Sequence, residues 1–376
     1  MQKASQSNVA FPLARPNLGK LERKFLLDAF DSGWISSRGK FIAEFECNFS
    51  NYCSAKYAVS TSNGTTALHL ALVALGIGKY DEVIVPDMSF IAPANAVTYT
   101  GAKCKFADSN KDYWGVDADS IKRRITHRTK AVIVVHLYGH PVDIDPIEEL
   151  CQSRGIYLIE DCAEAHGAKY NGKRIGNFGR ISCFSFFGNK LLTTGEGGMC
   201  LTNDAEIADK MRMLRDHGME KGRHFWHPVV GFNYRMTNLQ AAIGCAQLST
   251  LEKRIKKYRE IGHEYTRRLS RPGIVTHPEI QWAECVYWMY TLLIKGLSPS
   301  RRDLIQQNLF KAGIETRPMF YPISHQPFYK NSRLNNHVAV SLSRAGLSLP
   351  TFYDLTLDDV NLICDRLDTV LLNQSG

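Results

Sequence analysis

No run of apolar residues approaches the roughly 20 that a membrane-spanning helix needs, and Met1 to Asn8 lack the apolar stretch of a secretory leader. A membrane span and export are therefore not expected, and the cytoplasm is the expected compartment. The ten cysteines, at 47, 53, 104, 151, 162, 183, 200, 245, 285 and 364, include no Cys-x-x-Cys pair, which removes the common zinc and dithiol signatures and predicts free thiols in a reducing environment. Glycine and proline form no tracts, and neither internal repeats nor low-complexity segments occur, so disordered and solenoid architectures are not expected. The glycine-rich run Gly195-Glu196-Gly197-Gly198 lacks the Gly-Lys-Ser/Thr ending of a Walker phosphate loop. The net charge of +9 comes without a zinc finger, RNA-recognition signature or clear helix-turn-helix. Its densest basic stretch, Lys253 to Arg271, is interleaved with Glu260 and Glu264 after Glu252, the pattern of a solvated helix face. No nucleic-acid partner is expected; the positive balance favours anions in general, phosphorylated small molecules included.

What is present is a chain of 376 residues, long enough for one large domain with a smaller one attached. Short β-branched or aromatic runs at Glu82–Val85, Ala131–Leu137, Ile156–Ile159, Ile181–Phe187 and Met199–Leu201 read as buried strands. Helical patterns lie between several of them, such as Leu68, Ala71, Leu72 and Leu75, or Ile147 to Cys151. This alternation predicts an α/β fold with a mostly parallel, helix-covered sheet and ligand chemistry at the carboxyl ends of the strands. Beyond a long charged helix, roughly Ser249 to Leu269, the pattern turns to α+β. A strand is expected at Val286–Ile294, a helix at Arg301–Ala312, a short strand before Pro318 and a closing helix opened by Thr356 with Asp359. The amphipathic helix Leu21–Phe30 could pack on either unit.

Lys190 follows the apolar run Ile181–Phe187 in the turn Gly188-Asn189-Lys190. A lysine there can have its amine partly desolvated and its pKa lowered, which makes it nucleophilic; taken singly, such a lysine is more often an exposed loop residue. Asp161 closes the run Ile156–Ile159, where a carboxylate can pair with a protonated ring nitrogen or merely cap a helix. Ser62-Asn63-Gly64-Thr65-Thr66 opens a helix with small and hydroxyl residues, suited to a phosphate or to a plain N-cap. His136, Tyr138 and His140 suggest a metal only superficially: no carboxylate or cysteine is expected nearby, and a strand end entering a turn before Pro141 explains them. No metal is assigned. Trp226, His224 and His227 form a second cluster ahead of Asn233, suited to packing or to a subunit interface near substrate.

Five segments in order, SNGTTAL at 62–68, EDCAEAHG at 160–167, CFSFFGNK at 183–190, TTGEGG at 193–198 and GFNYRMTN at 231–238, resemble the DegT/DnrJ/EryC1/StrS sugar-nucleotide aminotransferases, fold type I enzymes that use pyridoxal 5'-phosphate. The resemblance runs from about Pro12 to Leu371. It implies a three-layer fold of the aspartate-aminotransferase type, with an N-terminal arm over 1–16, a large cofactor-binding domain over 17–248 and a smaller α+β domain over 249–376. It implies that Lys190 carries the cofactor as a Schiff base and Asp161 faces the pyridine nitrogen. Ser185, Gly64 and Thr65 would hold the phosphate, Phe90 would stack on the ring, and Glu164, where many members have Gln, would lie near the cofactor hydroxyl. Asn233 would reach the phosphate of the neighbouring subunit, which implies a homodimer with shared active sites.

Trp34-Ile35-Ser36-Ser37-Arg38-Gly39-Lys40, the FFGNK run ending at Lys190 and Arg317-Pro318-Met319-Phe320-Tyr321-Pro322 resemble the branch that aminates GDP-4-keto-6-deoxymannose at C4, with L-glutamate as donor and pyridoxamine 5'-phosphate formed in the half-reaction. Trp34, Arg317 and Tyr321 are the expected substrate contacts. An enzyme of dTDP-4-keto-6-deoxyglucose would carry similar segments. A dehydratase branch has His in place of the Schiff-base lysine, so Lys190 argues for amino transfer. A basic binding protein on the same fold is the non-enzymatic alternative.

Overall fold

A computed structural model describes residues 9–330 and 337–373; the opening segment Met1 to Asn8 lies outside the described residues. A seven-stranded sheet lies in the spatial order Tyr57–Thr61, Gly198–Thr202, Ile181–Ser185, Tyr157–Asp161, Thr129–Val135, Glu82–Pro86, Lys103–Ala107. Six strands run the same way, and Gly198–Thr202 alone is antiparallel to its two neighbours. Side chains alternate across each strand, so Val83, Val85, Ala131 and Ile133 enter one apolar core while Ile84, Val132 and Val134 enter another. Helices Gly64–Ala74, Ala92–Tyr99 and Ala205–Arg215 cover the first face, and Lys40–Tyr52, Ile144–Arg154 and Asn238–Ser249 the second. The result is the three-layer α/β arrangement that the resemblance implies.

All five expected strands are present, with shifted ends. Thr129–Val135 stops before Leu137, which lies in a 3-10 turn over Leu137–Gly139, and Ile181–Ser185 stops before Phe186. Tyr57–Thr61 and Lys103–Ala107 were not expected. Both are edge strands with polar or small residues, Lys103 and Lys105 among them, and lack the apolar run of a strand buried on both sides.

A second sheet, ordered Ile274–Val275, Tyr290–Ile294, Gly346–Leu349, Arg317–Pro318, packs with helices Leu251–Leu269, Pro299–Lys311 and Leu357–Leu372 around a third core. The expected strand Val286–Ile294 forms only from Tyr290. The preceding residues break from the sheet because Val286 N–H bonds Gly139 O at 3.0 Å and Tyr287 has a positive φ of 49°. Residues of the expected N-terminal arm join this unit: Phe11 pairs with Ile314, and Leu13 O accepts from Thr351 N. Helix Lys20–Asp31 packs on Asn238–Ser249, where Glu22 accepts from Gln247 Nε2 at 2.6 Å and pairs with Arg254 at 3.2 Å.

Candidate active site

The strand ends deliver their side chains to one cavity of 630 Å³. Its lining includes Gly64, Thr65, Phe90, Asp161, Glu164, Ser185, Lys190 and Arg317, residues spread over more than 250 positions of the chain.

Helix Gly64–Ala74 opens on this cavity. Asn63 caps it, its side chain accepting from Thr66 N at 2.9 Å while Thr66 Oγ1 accepts from Asn63 N at 3.1 Å. The first-turn N–H groups of Gly64 and Thr65 have no intrahelical acceptor and sit at the positive end of the helix dipole. Ser185, at the end of its strand, packs so closely that a Cβ on Gly64 would stand 2.7 Å from Ser185 Cβ and 3.1 Å from Oγ. Two N–H donors and a hydroxyl therefore converge where only glycine allows the approach, a cradle suited to a phosphate.

Asp161 is buried and takes a hydrogen bond from Ala163 N at 3.0 Å. Burial raises its pKa above the usual aspartate range, against the lowering effects of that bond, Lys190 and His136. A buried carboxyl of this kind gains from a cationic N–H partner. Lys190 itself is half-buried; the protein around its amine lowers its pKa, while Glu164 and Asp161 push it back up. Glu164 is buried, accepts from Tyr138 N at 2.8 Å, and is pushed up to about 7, by burial first and by Asp161, against Lys190 and that hydrogen bond. The donor is aimed by the left-handed backbone of Tyr138, whose φ is 52°. Phe90 is 55% exposed and stands over the cavity with its ring 6.0 Å from that of Phe320.

Three expected residues lie elsewhere in the single chain. Asn233 is exposed, accepts from Arg235 Nε at 3.0 Å and does not line the cavity. Trp34 and Tyr321, about half exposed, are likewise outside it, Tyr321 OH accepting a long 3.4 Å bond from Arg302 Nη2. The neighbouring segment exposes Phe225 at 88% and Val230 at 89%, with Arg223 stacked 3.9 Å from the Trp226 ring and His227 Nδ1 bonded to His217 O.

Sequence reasoning missed Tyr138, Trp288 and Phe320, which wall the cavity. Tyr138 stacks on Phe320 at 5.1 Å and lies 6.2 Å from Trp288, whose Nε1 donates to Asn189 O at 2.8 Å. Tyr138 had a signal, since it follows the carboxyl end of Thr129–Val135. Trp288 had none, because its run reads as strand.

The expectation that His136 has no carboxylate or cysteine nearby is corrected: Glu160 and Cys162 lie with it, their ligand atoms within 4.8 Å of one another. They are distant in sequence but meet across paired strands. The geometry is that of a structural network. Glu160 accepts from His136 Nε2, Gly176 N, Phe178 N, Gly179 N and Ser182 Oγ, and His136 Nδ1 accepts from Val142 N, which places the ring proton on Nε2 and leaves neither residue a free lone pair for a metal.

The model of the DegT/DnrJ/EryC1/StrS aminotransferase family matches residues 16–368. The chain is 46% identical to a GDP-perosamine synthase of Caulobacter vibrioides over 364 residues, covering 96% of this chain and 98% of that one. It is 43% identical to a GDP-perosamine synthase of Escherichia coli O157:H7, covering 95% and 97%. A putative sugar aminotransferase of Streptococcus pneumoniae, Spr1654, solved in its PMP form, superposes with a TM-score of 0.89 at 26% identity, covering 96% of this chain and 98% of that one.

Proposed function

The chain belongs to the DegT/DnrJ/EryC1/StrS aminotransferase family, and from its likeness to the two GDP-perosamine synthases we propose that it aminates GDP-4-keto-6-deoxymannose at C4 to give GDP-perosamine, with L-glutamate as donor and pyridoxamine 5'-phosphate as the nitrogen carrier between the two halves. The observation that carries the cofactor part of this reading is the meeting of Lys190, Asp161 and the Gly64–Ser185 cradle in one cavity, and the substrate rests on the likeness to the two GDP-perosamine synthases. These residues fit pyridoxal phosphate: a phosphate suits the cradle that a Cβ would fill, a ring N–H suits the buried Asp161, and an aldehyde suits an amine of lowered pKa.

Bound there, the cofactor supplies an electron sink for charge developing at the carbon next to the transferred nitrogen. Asp161 keeps the ring nitrogen protonated. Ser185, Gly64 and Thr65 would bind the phosphate, and Phe90 would cover a ring face. Lys190 Nζ takes the proton from the α-carbon of glutamate and later delivers a proton to C4 of the sugar, so one amine serves both halves. Glu164 would lie near the cofactor hydroxyl. Arg317 in the cavity, with Trp34 and Tyr321 outside it in the single chain, contacts the nucleotide sugar. Asn233 reaches the neighbour's phosphate across a homodimer, with the exposed segment around Phe225 at the interface. The active-site motifs belong to a large domain over 17–248, with an arm over 1–16 and a smaller domain over 249–376. Ten cysteines without a disulfide support a cytoplasmic location, and no helix among the described residues is long and apolar enough to cross a membrane.

A panel of GDP- and dTDP-linked 4-keto-6-deoxy sugars with nitrogen-labelled glutamate tests the reading. Label at C4 of the GDP sugar is the expected outcome. Preference for the dTDP sugar replaces the substrate assignment; product without label replaces amino transfer by dehydration.

A further inference from the structure

The Lys190 amine lies 3.6 Å from the centroid of the Trp288 ring, close enough for a cation–π contact. Trp288 is 4% exposed and doubly fixed. Its Nε1–H donates to the carbonyl of Asn189, the residue before the lysine. Its backbone is locked against the Leu137–Gly139 turn, where a Cβ on Gly139 would stand 3.0 Å from Trp288 N. The ring also continues a stack through Tyr138, whose N–H holds Glu164, to Phe320. One indole thus touches the amine, fixes the backbone beside it and adjoins the residue that orients its acidic neighbour.

We propose that Trp288 is the positioning residue of the Lys190 amine, holding it against the indole face between covalent states and stabilising the ammonium that forms when the amine has taken a proton. The inference rests on the aminotransferase reading, in which the amine must stay within reach of the cofactor between covalent states and carry a proton. The groups that face the amine are Asp161 and Glu164, which favour its charge; burial and the lysine's own charge push His166 down to about 3, so it is a neutral ring, and Glu196 and Arg317 line the same cavity. Burial opposes the ammonium, and the indole face offsets part of that opposition without adding another anion.

The test is a titration of unloaded protein carrying ε-carbon-13 lysine, with the Lys190 signal assigned by its loss in Lys190→Ala. Wild type is compared with Trp288→Phe, which keeps an aromatic face, and Trp288→Leu, which removes it. The Lys190 titration is expected to stay within about 0.3 pH unit in the Phe variant and to fall by roughly 0.5 to 1 pH unit in the Leu variant. In loaded protein, the limb of the rate–pH profile that reports the lysine acid should move the same way. Should the Leu variant fail to fold, Trp288→Met serves in its place. Equal titrations in wild type and the non-aromatic variant would overturn the proposal. Failure of borohydride to fix pyridoxal phosphate to wild-type Lys190 would instead overturn the aminotransferase assignment, and the unloaded titration separates the two.

Discussion

Replacing Glu164 by Gln should make the unloaded protein more stable, and only at neutral to alkaline pH. Glu164 is 3% exposed and its carboxyl is raised from 4.5 to about 7. A carboxyl with a raised folded pKa favours the fold as the neutral acid. Its contribution is intact below the unfolded value and is lost as pH rises from about 4.5 through about 7. A rise of that size corresponds to about 3 kcal/mol. With an unfolding entropy of roughly 2.1 cal/mol/K per residue, that is about 4 °C in melting temperature for a chain of this length. Glutamine keeps an oxygen for the Tyr138 N–H and nearly the same volume but cannot ionise. Differential scanning calorimetry of cofactor-free Glu164→Gln and wild type should give melting temperatures within about one degree at pH 5 and a variant about 4 °C higher at pH 8. A pH-independent difference, or a variant less stable at pH 8, would refute a buried, ionising Glu164.

Asp161→Asn should still take up pyridoxal phosphate, seen as colour, while losing a charge-assisted bond; single-turnover absorbance with glutamate should be about 10- to 150-fold slower, and unaltered turnover removes the assigned role. Gly64→Ala drives a methyl to 2.7 Å from Ser185 Cβ, an overpacking of roughly 1–3 kcal/mol, and absorbance titration should show cofactor affinity weakened about 5- to 150-fold. Mixing inactive Lys190→Ala with Asn233→Asp should restore about a quarter of wild-type activity, because half the dimers are mixed and each mixed dimer has one site with both native residues. No recovery after proven subunit exchange speaks against a shared site.

The convergence of Gly64, Asp161, Ser185 and Lys190 on one cavity was legible because these residues sit in short contiguous segments at places the fold dictates. Asp161 and Ser185 end strands, Gly64 opens a helix, and Lys190 follows a buried run. The aromatic wall was not legible. Trp288 enters the cavity only because pairing with Gly139 stops the sheet before Tyr290, an event set by residues nearly 150 positions away. The convergence of Trp34, Arg317 and Tyr321, the residues expected at a substrate, was legible only in part. Arg317, Pro318 and Phe320 reach the cavity, but Tyr321 does not. Trp34 and Asn233 stay outside, where a single chain gives them nothing in the site to touch. The Glu160–His136 pair was hidden for a plain reason: its partners are neighbours across strands, and sequence distance says nothing of strand order.

Glu160 and Asp161 show how one strand makes two opposite acids from adjacent residues. Successive side chains leave a strand on opposite faces, so the two carboxyls enter different environments although both are buried. Glu160 meets five donors, and despite burial its pKa is lowered to about 2, His136, Gly179 N and Ser182 outweighing desolvation. It is a committed anion that pins the loop over 176–179 to the sheet. Asp161 meets one backbone donor and the more distant charge of Lys190, so burial wins and its pKa rises. The sheet thus satisfies the acid it needs for structure and leaves its neighbour short of a cation. That shortfall makes the Lys190 cavity receptive to a protonated ring nitrogen, and it follows from the pleat and the order of strands as much as from the residues themselves.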